Sequence, residues 1–380
     1  MDVKNAFLNG DLEEEVYMKP LAGLHHLPNK VCRLRRALYG LKQSPRAWYA
    51  KFSATVSEFG FTSSPHDTSL FIRKTARGMV LLLLYVDDMI ITGDDVVGVE
   101  ELKQSLSQKF EMKDLGVLSY FLGLEVTSSD DGYLLSQVKY ASDLVSKAEL
   151  NDGKCVSTPL EPNVKLTPMD GSPLSDPTRY RQLVGSLVYL TTIRPDIAYA
   201  VHIVSQFMAA PRSTHYAAVL RIIRYVKGTL FHGLHFSANS SPVLCAYSDA
   251  DWAGDPFGRR STTGYCLFLA EYRAFGDTTS ELLSSRWLLE DMGIPQPSST
   301  DLYCDNQSAI QIAHNDVFHE RTKHIEVDCH FIRHHVAQGT VHLVFIGSAD
   351  QPVDLFTKAH FPGRFRTLLS KLKLISSQSP

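Results

Sequence analysis

Residues 79–95 read MVLLLLYVDDMIITGDD and decide how the first part of the chain folds. The runs MVLLLLYV and MIITG are short, apolar and bounded by Gly or Asp, a pattern that is typical of strands with both faces buried. We therefore predict two strands joined through Asp87 and Asp88. Two adjacent carboxylates in a tight turn repel each other and lose hydration, a cost that a bound divalent cation offsets. The alternative for an Asp-Asp turn is a solvated hairpin tip.

Asp2, in the N-terminal sequence MDVKNAF, gives the metal-binding interpretation more weight. Phosphoryl transfer with two metal ions needs carboxylates from separate strands, so that ions about 4 Å apart clamp the attacking and leaving oxygens. The interpretation holds only if Asp2 and the Asp87-Asp88 turn lie close together in space.

The rest of the chain predicts a mixture of helices and strands. A helix follows the first strand pair, since Val99, Leu102, Leu106 and Phe110 recur at helical spacing. A strand pair is predicted over 119–136 around an Asp-Gly turn, and residues 156–178, with five prolines, indicate an extended linker. The later predicted elements are helices 178–193, 196–209 and 213–227, then strands 243–248, 263–269, 301–304 and 341–346 with helices 271–292, 306–314 and 325–337.

Length and charge indicate two or three globular domains with an uneven surface. A chain of 380 residues is too long for one small core, and its hydrophobic share of 44% is ordinary. The net charge of −3 does not favour nucleic acid, but acidic residues are absent from 30–51 and from 197–248 and gather at 87–101 and 249–255. Seven basic residues fall in the first of these stretches: Lys30, Arg33, Arg35, Arg36, Lys42, Arg46 and Lys51. Such alternation allows polyanion binding beside metal sites; the alternative is two solvated basic faces.

Other sequence features indicate an intracellular protein, cytoplasmic or nuclear, with no membrane partner. The six cysteines contain no CxxC pair, so neither a zinc site nor a disulfide framework is expected. The longest strongly apolar run, residues 79–86, is far shorter than the roughly 20 residues that span a bilayer. The N-terminus lacks the basic and apolar regions of a secretory signal.

A series of ordered motifs resembles the Pol polyproteins of copia-type LTR retrotransposons, with a reverse transcriptase followed by a ribonuclease H. The motifs cover nearly the whole chain: DVKNAF, LYGLKQSPRAWY, YVDD, FLGLEV, YSDADWAGD, DNQSAIQIA, RTKHIEVDCHFIR and VDLFTK. The resemblance implies an α/β and α+β fold, with a palm-like antiparallel sheet on helices, a helical connection and a ribonuclease H-like mixed sheet. The implied domains are a palm and thumb region without fingers (1–155), a linker and connection (156–240), a ribonuclease H-like domain (241–360) and a tail (361–380).

The resemblance assigns roles to residues of the first region. Asp2, Asp87 and Asp88, with the Val3 carbonyl, are expected to hold the polymerase metals. Phe7 falls where the family places a ring that occupies the space of a 2′-hydroxyl; the alternative is an ordinary core Phe. The other residues expected to contact the nucleotide, the template or phosphates are Tyr39, Gly40, Lys42 and Arg46. Gly123 lies in the stretch that resembles the primer grip.

In the second region the resemblance implies a four-carboxylate nuclease site. Its expected metal ligands are Asp249, Glu271, Asp305 and Asp354, and Asp251 is the weaker candidate beside Asp249. His324 and His330 are interpreted as surface or packing residues rather than aids to product release. All these ligands are hard oxygens, so Mg²⁺ is the expected ion, with Mn²⁺ as the alternative. The expected partners are an RNA template, a DNA primer, RNA–DNA hybrid and deoxynucleoside triphosphates.

Two departures from the family lead us to expect a truncated copy with impaired activity. The chain starts directly before Asp2, where the family has a fingers region, so Asp2 is expected on a terminal strand prone to fraying. Glu271 follows Leu269-Ala270 directly, where the family has a third strand, so the second sheet is expected to lack that strand and to expose an edge. The rival hypotheses are a non-catalytic remnant that binds RNA or RNA–DNA hybrid, and a product that does not fold stably.

Overall fold

The computed structural model describes residues 1–20, 23, 29–150, 153–240, 243–250, 263–266, 268–269, 272–315 and 326–377, with the backbone alone for 263–277 and 326–327 within these ranges. Two compact units are present: Met1–Leu118 with Trp287–Pro295, and Ser119–Arg286 with Gln296–Pro380. Among the described helices, none combines the length and the apolar character that crossing a bilayer requires.

The first unit is built around an antiparallel sheet. Its elements are β1 (Asp2–Val3), a 3-10 helix (Ala6–Asn9), β2 (Asp11–Met18), β3 (Cys32–Arg36), α1 (Ser44–Glu58), β4 (Thr62–Ser63), β5 (Leu70–Thr75), β6 (Gly78–Tyr85), β7 (Asp88–Gly93), α2 (Val96–Lys109) and β8 (Met112–Lys113). Six strands lie in the order β4-β5-β6-β7-β1-β8, and β2 pairs with β3 separately.

The predicted strand pair at 79–93 is confirmed as the β6–β7 hairpin. Its strands pair antiparallel from Val80 opposite Gly93 to Tyr85 opposite Asp88. Val80, Leu82 and Leu84 are buried against the core that includes aromatic side chains of α1, whereas the residues between them are only half-buried. The prediction that both faces are buried is therefore wrong, because one face alone packs against the helices.

Asp2 lies on the first strand of the chain, as expected, but that strand does not lie at the edge of the sheet. β1 lies inside the sheet, where Asp2 pairs with Asp88 of β7 on one side and with Lys113 of β8 on the other. Val3 beside it is fully buried. A strand of two residues is held here because both of its neighbours supply hydrogen bonds.

The other elements form two further sheets and a helical layer. They are β9 (Tyr120–Phe121), β10 (Leu124–Ser129), β11 (Gly132–Ser136), α3 (Val138–Lys147), α4 (Pro177–Leu190), a 3-10 helix (Pro195–Ile197), α5 (Ala198–Ser205), α6 (Ser213–Gly228), β12 (His232–Ser237), β13 (Cys245–Ala250), β14 (Thr263–Cys266), β15 (Phe268–Leu269), α7 (Tyr272–Asp291), β16 (Thr300–Cys304), α8 (Gln307–His314), α9 (Glu326–Ala337), β17 (Val341–Phe345), α10 (Asp354–Thr357), α11 (Pro362–Lys371) and β18 (Leu374–Ser376). One sheet is antiparallel, in the order β18-β12-β11-β10-β9.

The remaining sheet, β15-β14-β13-β16-β17, is mixed, as the sequence predicts. β13, β16 and β17 run parallel, and β14 and β15 add antiparallel pairs at one side. From the sequence we expect this sheet to lack its third strand, whereas the described residues form five strands. Residues 263–266 and 268–269, predicted as parts of one strand, form two strands that pair antiparallel, with Cys266 opposite Phe268, and the two-residue strand lies at the edge of the sheet.

The segments expected as linker and tail are packed against the helical core. Thr158 and Leu160 are buried, and Arg221 of α6 binds Glu161 and Thr158. Residues 362–371 form α11, whose Phe365 is buried with the helices, and β18 extends the sheet beside β12. The prolines of the first segment and the basic residues of the second conceal this apolar spacing, which explains why the sequence alone predicts a connection and a tail.

A buried ion pair lies within the helical core. The guanidinium of Arg194 donates to both carboxylate oxygens of Asp196, at 2.9 and 2.7 Å, and Tyr225 donates to the same carboxylate at 2.7 Å. Burial alone would raise the pKa of Asp196, but the charge and hydrogen bonds of Arg194 outweigh it and hold that pKa below its usual value. Both side chains are almost completely shielded from solvent.

We predict that Asp196→Asn strongly destabilises the second unit, because it leaves the Arg194 charge buried without a partner. The loss expected for one member of a buried pair is about 3–5 kcal/mol. Urea denaturation followed by circular dichroism measures it. The matched control is Lys371→Ala, which removes the partly exposed Lys371–Asp350 pair and is expected to cost at most about 1 kcal/mol. Equal losses in the two variants would contradict the prediction.

Candidate functional site

The β6–β7 turn and β1 bring the first group of predicted carboxylates together. Asp2 lies directly opposite Asp88 in the β1–β7 pairing, and opposite residues of an antiparallel pair project from the same face. Asp87 lies in the turn, where its carbonyl accepts from the Val3 amide at 2.7 Å. Val86 has a left-handed backbone (φ 52°), and the indole of Trp48 donates to the Val86 carbonyl at 2.8 Å. A buried tryptophan therefore fixes the turn that presents Asp87.

The negative charges of Asp2 and Asp88 act on Asp87 at this turn. Burial raises the pKa of Asp87, a hydrogen bond from Tyr39 opposes the rise, and the charges of Asp2 and Asp88 add to it. The Tyr39 hydroxyl donates to Asp87 Oδ2 at 3.1 Å. The pKa of Tyr39 is in turn raised by burial and by this contact with Asp87. A single neutral donor thus offsets part of the repulsion at the first group.

Phe7 and Gly40 flank this turn. The Phe7 ring lies 4.7 Å from that of Tyr39, centroid to centroid, and is half-buried against the core. The side chain therefore packs against the core and against the ring of Tyr39, which itself contacts Asp87, so the two interpretations of Phe7 do not exclude each other. Gly40 has φ +92°, and no atom lies within 4 Å of the place where a Cβ would stand. Backbone conformation, rather than crowding within the protein, explains the glycine at this position.

Part of the first basic stretch is exposed without acidic partners. Lys42 and Arg46 are exposed, and within the described residues neither forms an ion pair. Arg33 and Lys51, in contrast, pair with Glu15 and Asp11. Cations at the start of α1 are therefore available to phosphates. In the second stretch without acidic residues, 197–248, Arg212 donates to the Gly171 carbonyl and Lys227 donates to the Leu150 carbonyl. These residues therefore contact the segment between α3 and α4.

The second group of carboxylates converges more closely. Asp249 lies near the end of β13, Asp305 directly follows β16, and Asp354 begins α10. Each residue offers one carboxylate oxygen, and these three oxygens all lie within 4.8 Å of one another. Among the described residues no other group of three such ligands is this compact, so Asp2, Asp87 and Asp88 are gathered less tightly. Oxygens bound to one Mg²⁺ are at most about 4.2 Å apart, twice the metal–oxygen distance, so a small contraction of the second group fits the ion.

Each of the three carboxylates has a donor from the protein. Thr357 donates to Asp249, Ser348 donates to Asp305 at 2.9 Å, and Arg364 donates to Asp354 at 3.1 Å. Lys358 bridges two of them, with its ammonium 3.3 Å from Asp249 Oδ2 and 2.7 Å from Asp354 Oδ1.

The charges of the second group shift the pKa values of its members in predictable directions. Burial raises the pKa of Asp249; Thr357 and Lys358 oppose the rise, and the charges of Asp354 and Asp305 add to it. Burial lowers the pKa of Lys358, but its hydrogen bond to Asp354 and the charge of Asp249 outweigh that effect and raise it. The site therefore holds excess negative charge, as a cation site requires.

Asp354 is positioned by the helical core rather than by the core of the mixed sheet. Val353, Leu355 and Phe356 are buried with the helices α3 to α6. The buried Gln351 amide donates to the Ser248 carbonyl of β13, next to Asp249. The four-residue helix is therefore fixed between two layers, and its first side chain faces the other carboxylates.

Several predicted residues lie elsewhere. Glu271, Asp251 and His324 lie outside the residues whose side chains are described. His330 is exposed on α9, in agreement with its interpretation as a surface residue. Gly123 and Leu122 form the β9–β10 turn with positive φ at both, and a Cβ on Gly123 would stand 2.2 Å from the Tyr189 hydroxyl.

The sequence interpretation missed the donors around the second group. Thr357 and Lys358 lie within the VDLFTK motif, and the spacing of four between Asp354 and Lys358 is the spacing at which helical side chains pair. That spacing is the signal from which Lys358 could have been found. Ser348 and Arg364 carry no such local signal, because their contacts depend on tertiary packing.

Comparison with known proteins places this sequence in a family. Residues 1–162 match the family described as reverse transcriptase (RNA-dependent DNA polymerase). The Pol polyprotein of transposon RE1 from Arabidopsis thaliana is 42% identical over 98% of this chain, and that of transposon TNT 1-94 from Nicotiana tabacum is 37% identical over 94%. A Ty5-1 transposon protein of Saccharomyces cerevisiae is 34% identical, and the alignment covers 89% of its length.

The chain belongs to the reverse transcriptase family of copia-type retrotransposon Pol polyproteins. It spans 27% of the RE1 polyprotein and 29% of the TNT 1-94 polyprotein. No solved structure matches it.

For this Pol family member we predict that Asp249→Asn stabilises the metal-free fold at neutral pH. A carboxyl whose pKa is raised by folding favours the folded state below its unfolded pKa, and that contribution is lost as pH rises through the raised value. Ionised Asp249 is therefore a destabilising group at pH 7. Thermal unfolding in EDTA should show a melting temperature a few degrees above wild type, since 1 kcal/mol corresponds to about 2–4 °C in a unit of this size.

The same variant should lose the stabilisation that Mg²⁺ gives to the wild-type protein. Asp350→Asn, an exposed change in the same unit, serves as the control and should melt like wild type in both conditions. A lower melting temperature for Asp249→Asn in EDTA would show that the ionised carboxylate stabilises the fold and would contradict the prediction.

Proposed function

We propose that this chain is the RNA-directed DNA polymerase region of a retrotransposon Pol protein joined to a ribonuclease H region. The observation that carries the polymerase half is the position of Asp2, which lies opposite Asp88 although 86 positions separate them in the sequence. The nuclease half rests on the convergence of Asp249, Asp305 and Asp354 at one edge of a mixed sheet. The reverse transcriptase family of the chain supports the polymerase half.

The proposed metal ligands follow from these positions. Asp2, Asp87, Asp88 and the Val3 carbonyl hold ions in the first region, and Asp249, Asp305 and Asp354 with Glu271 hold them in the second. All are hard oxygen donors, which suit Mg²⁺ and, as the alternative, Mn²⁺. Bound ions of this kind neutralise charge on the reacting phosphate and activate the attacking hydroxyl or water.

The chain's own residues orient the reactants in this proposal. Lys42 and Arg46 bind phosphates of an RNA template and DNA primer, which positions the duplex without reading its sequence. Phe7, beside Tyr39, borders the space that a deoxynucleoside triphosphate enters and excludes a 2′-hydroxyl. Tyr39 keeps Asp87 in place through its hydroxyl. In the second region, Thr357, Ser348 and Arg364 orient the carboxylates that face the RNA strand of a hybrid.

Separate loss of the two activities tests the proposal. Asp87→Asn should abolish primer extension and spare hybrid cleavage, whereas Asp305→Asn should do the reverse. Each loss is expected to be about 100-fold or more, because even an outer-shell partner of a metal ligand is worth 10–100-fold. The measurements are primer extension on an RNA template and cleavage of a labelled RNA–DNA hybrid, each with Mg²⁺ and with EDTA.

The matched controls are exposed acids in the same units, Glu58→Gln for the first and Asp350→Asn for the second. Both should leave rates unchanged. A wild-type protein with neither activity would refute the catalytic proposal and support the impaired copy expected from the sequence. Turnover that persists in Asp87→Asn would show that polymerase activity does not depend on this turn.

A binding function without catalysis is the second candidate, and the unpaired cations at the start of α1 are the observation that favours it. We predict that Lys42→Ala with Arg46→Ala weakens binding to primed template by a similar factor for every sequence. The slope of log affinity against log salt should become shallower by about one for each phosphate that the variant no longer neutralises. Fluorescence anisotropy over a series of salt concentrations measures both.

Lys109→Ala is the control for this measurement, since Lys109 is exposed and already paired with Glu58. Its affinity and salt slope should match wild type. An unchanged slope in the double variant would place the nucleic acid on a different surface. Binding with this salt dependence but without metal-dependent turnover would favour the remnant over the enzyme.

A further inference from the structure

The ammonium of Lys358 occupies the space between two of the proposed nuclease ligands. It lies 2.7 Å from Asp354 Oδ1 and 3.3 Å from Asp249 Oδ2, so it serves as the shared counter-ion of both carboxylates. The other described cation at the group, Arg364, binds the other oxygen of Asp354 at 3.1 Å. Lys358 thus contacts two of the three carboxylates, and Arg364 contacts one.

A divalent ion needs the same oxygens that Lys358 holds. Mg²⁺ binds oxygens at about 2.0–2.1 Å and demands near-octahedral order. An ion held by Oδ2 of Asp249 and Oδ1 of Asp354 would need the space beside both oxygens that the Lys358 ammonium contacts. The ammonium and the ion cannot occupy this space together, because their volumes overlap and their charges repel. Binding of the ion requires the ammonium to leave.

The surroundings allow Lys358 to move while the carboxylates stay in place. Its side chain is 46% exposed and borders an open cleft of about 410 Å³ together with Asp249 and Asp305. The backbone of α10 is fixed by the buried Leu355 and Phe356. Lysine has a flexible four-carbon stem, so rotation of the stem moves the ammonium without any change in the helix.

We propose that Lys358 is an internal cation that neutralises the carboxylates of the second group in the metal-free protein and competes with the divalent ion for Asp249 and Asp354. The inference rests on the proposed metal-dependent nuclease function. It gives Lys358 two opposite effects, since the side chain stabilises the metal-free fold and weakens metal binding. A residue with only a structural role would have the first effect alone.

Mn²⁺ titration in the absence of nucleic acid tests the competition. All variants carry Asp87→Asn to weaken the first site, and addition of Asp249→Asn defines the residual binding that is subtracted. Lys358→Met, which keeps the apolar stem, is expected to raise Mn²⁺ affinity by about 5-fold or more, the lower end of typical coupling between ligands. Free Mn²⁺ is measured by electron paramagnetic resonance.

Two controls separate charge from packing. Lys358→Arg keeps a cation and should bind Mn²⁺ as weakly as the parent, and Lys371→Met removes a partly exposed lysine that pairs with Asp350. In EDTA, Lys358→Met should melt below the parent, and saturating Mn²⁺ should raise its melting temperature more than that of the parent. If Lys358→Met does not fold in EDTA, Lys358→Gln replaces it, and circular dichroism verifies its fold.

The outcomes distinguish this inference from the function on which it rests. Equal or weaker Mn²⁺ affinity in Lys358→Met, with Asp249-dependent binding in the parent, would overturn the competition and leave the nuclease proposal intact. Absence of Asp249-dependent binding from parent and variant alike would overturn both. Binding that appears only in Lys358→Met would support the competition in its strongest form.

Discussion

The repulsion between carboxylates is the constraint on which the two candidate sites depend. At the second group, oxygens of Asp249, Asp305 and Asp354 lie within 4.8 Å of one another, a distance at which like charges in a partly buried site are costly. The chain holds them there with fixed donors and one bridging ammonium. Under the proposed function, a divalent ion bound by these carboxylates would relieve the energy that this arrangement costs in the folded protein.

The two groups meet this constraint in different ways. At Asp87 a neutral hydroxyl from Tyr39 is the donor, and the group is more open. At Asp249 the donors include full charges, and the group is compact. In the first unit Asp2 and Asp88 lie on neighbouring strands, so backbone pairing sets their spacing. In the second, Asp354 comes from a short helix, so packing of its apolar side chains sets the spacing instead.

The sequence predicts what is local and misses what depends on packing. The β6–β7 hairpin is predictable because its apolar strands and acidic turn are contiguous. The interior position of β1 is not, because it depends on pairing with β7 and β8, far along the chain. Phe365 and Leu368 lie among basic residues, which hides the helix they form. In the sequence Lys358 resembles an ordinary surface cation, because Asp249, which it contacts in the structure, lies more than a hundred positions away.

The burial of α10 makes the second group of carboxylates dependent on the helices that precede it. Leu355 and Phe356 belong to the same buried cluster as residues of α4, α5 and α6, and Leu355 borders the same small cavity as Asp196 of the buried ion pair. Asp354 sits on the polar side of that short helix and takes its position from it. A four-residue helix has too few hydrogen bonds to be stable alone. The third carboxylate therefore stays in place only while residues 180–226 keep their packing, which makes the helical connection part of the proposed nuclease site.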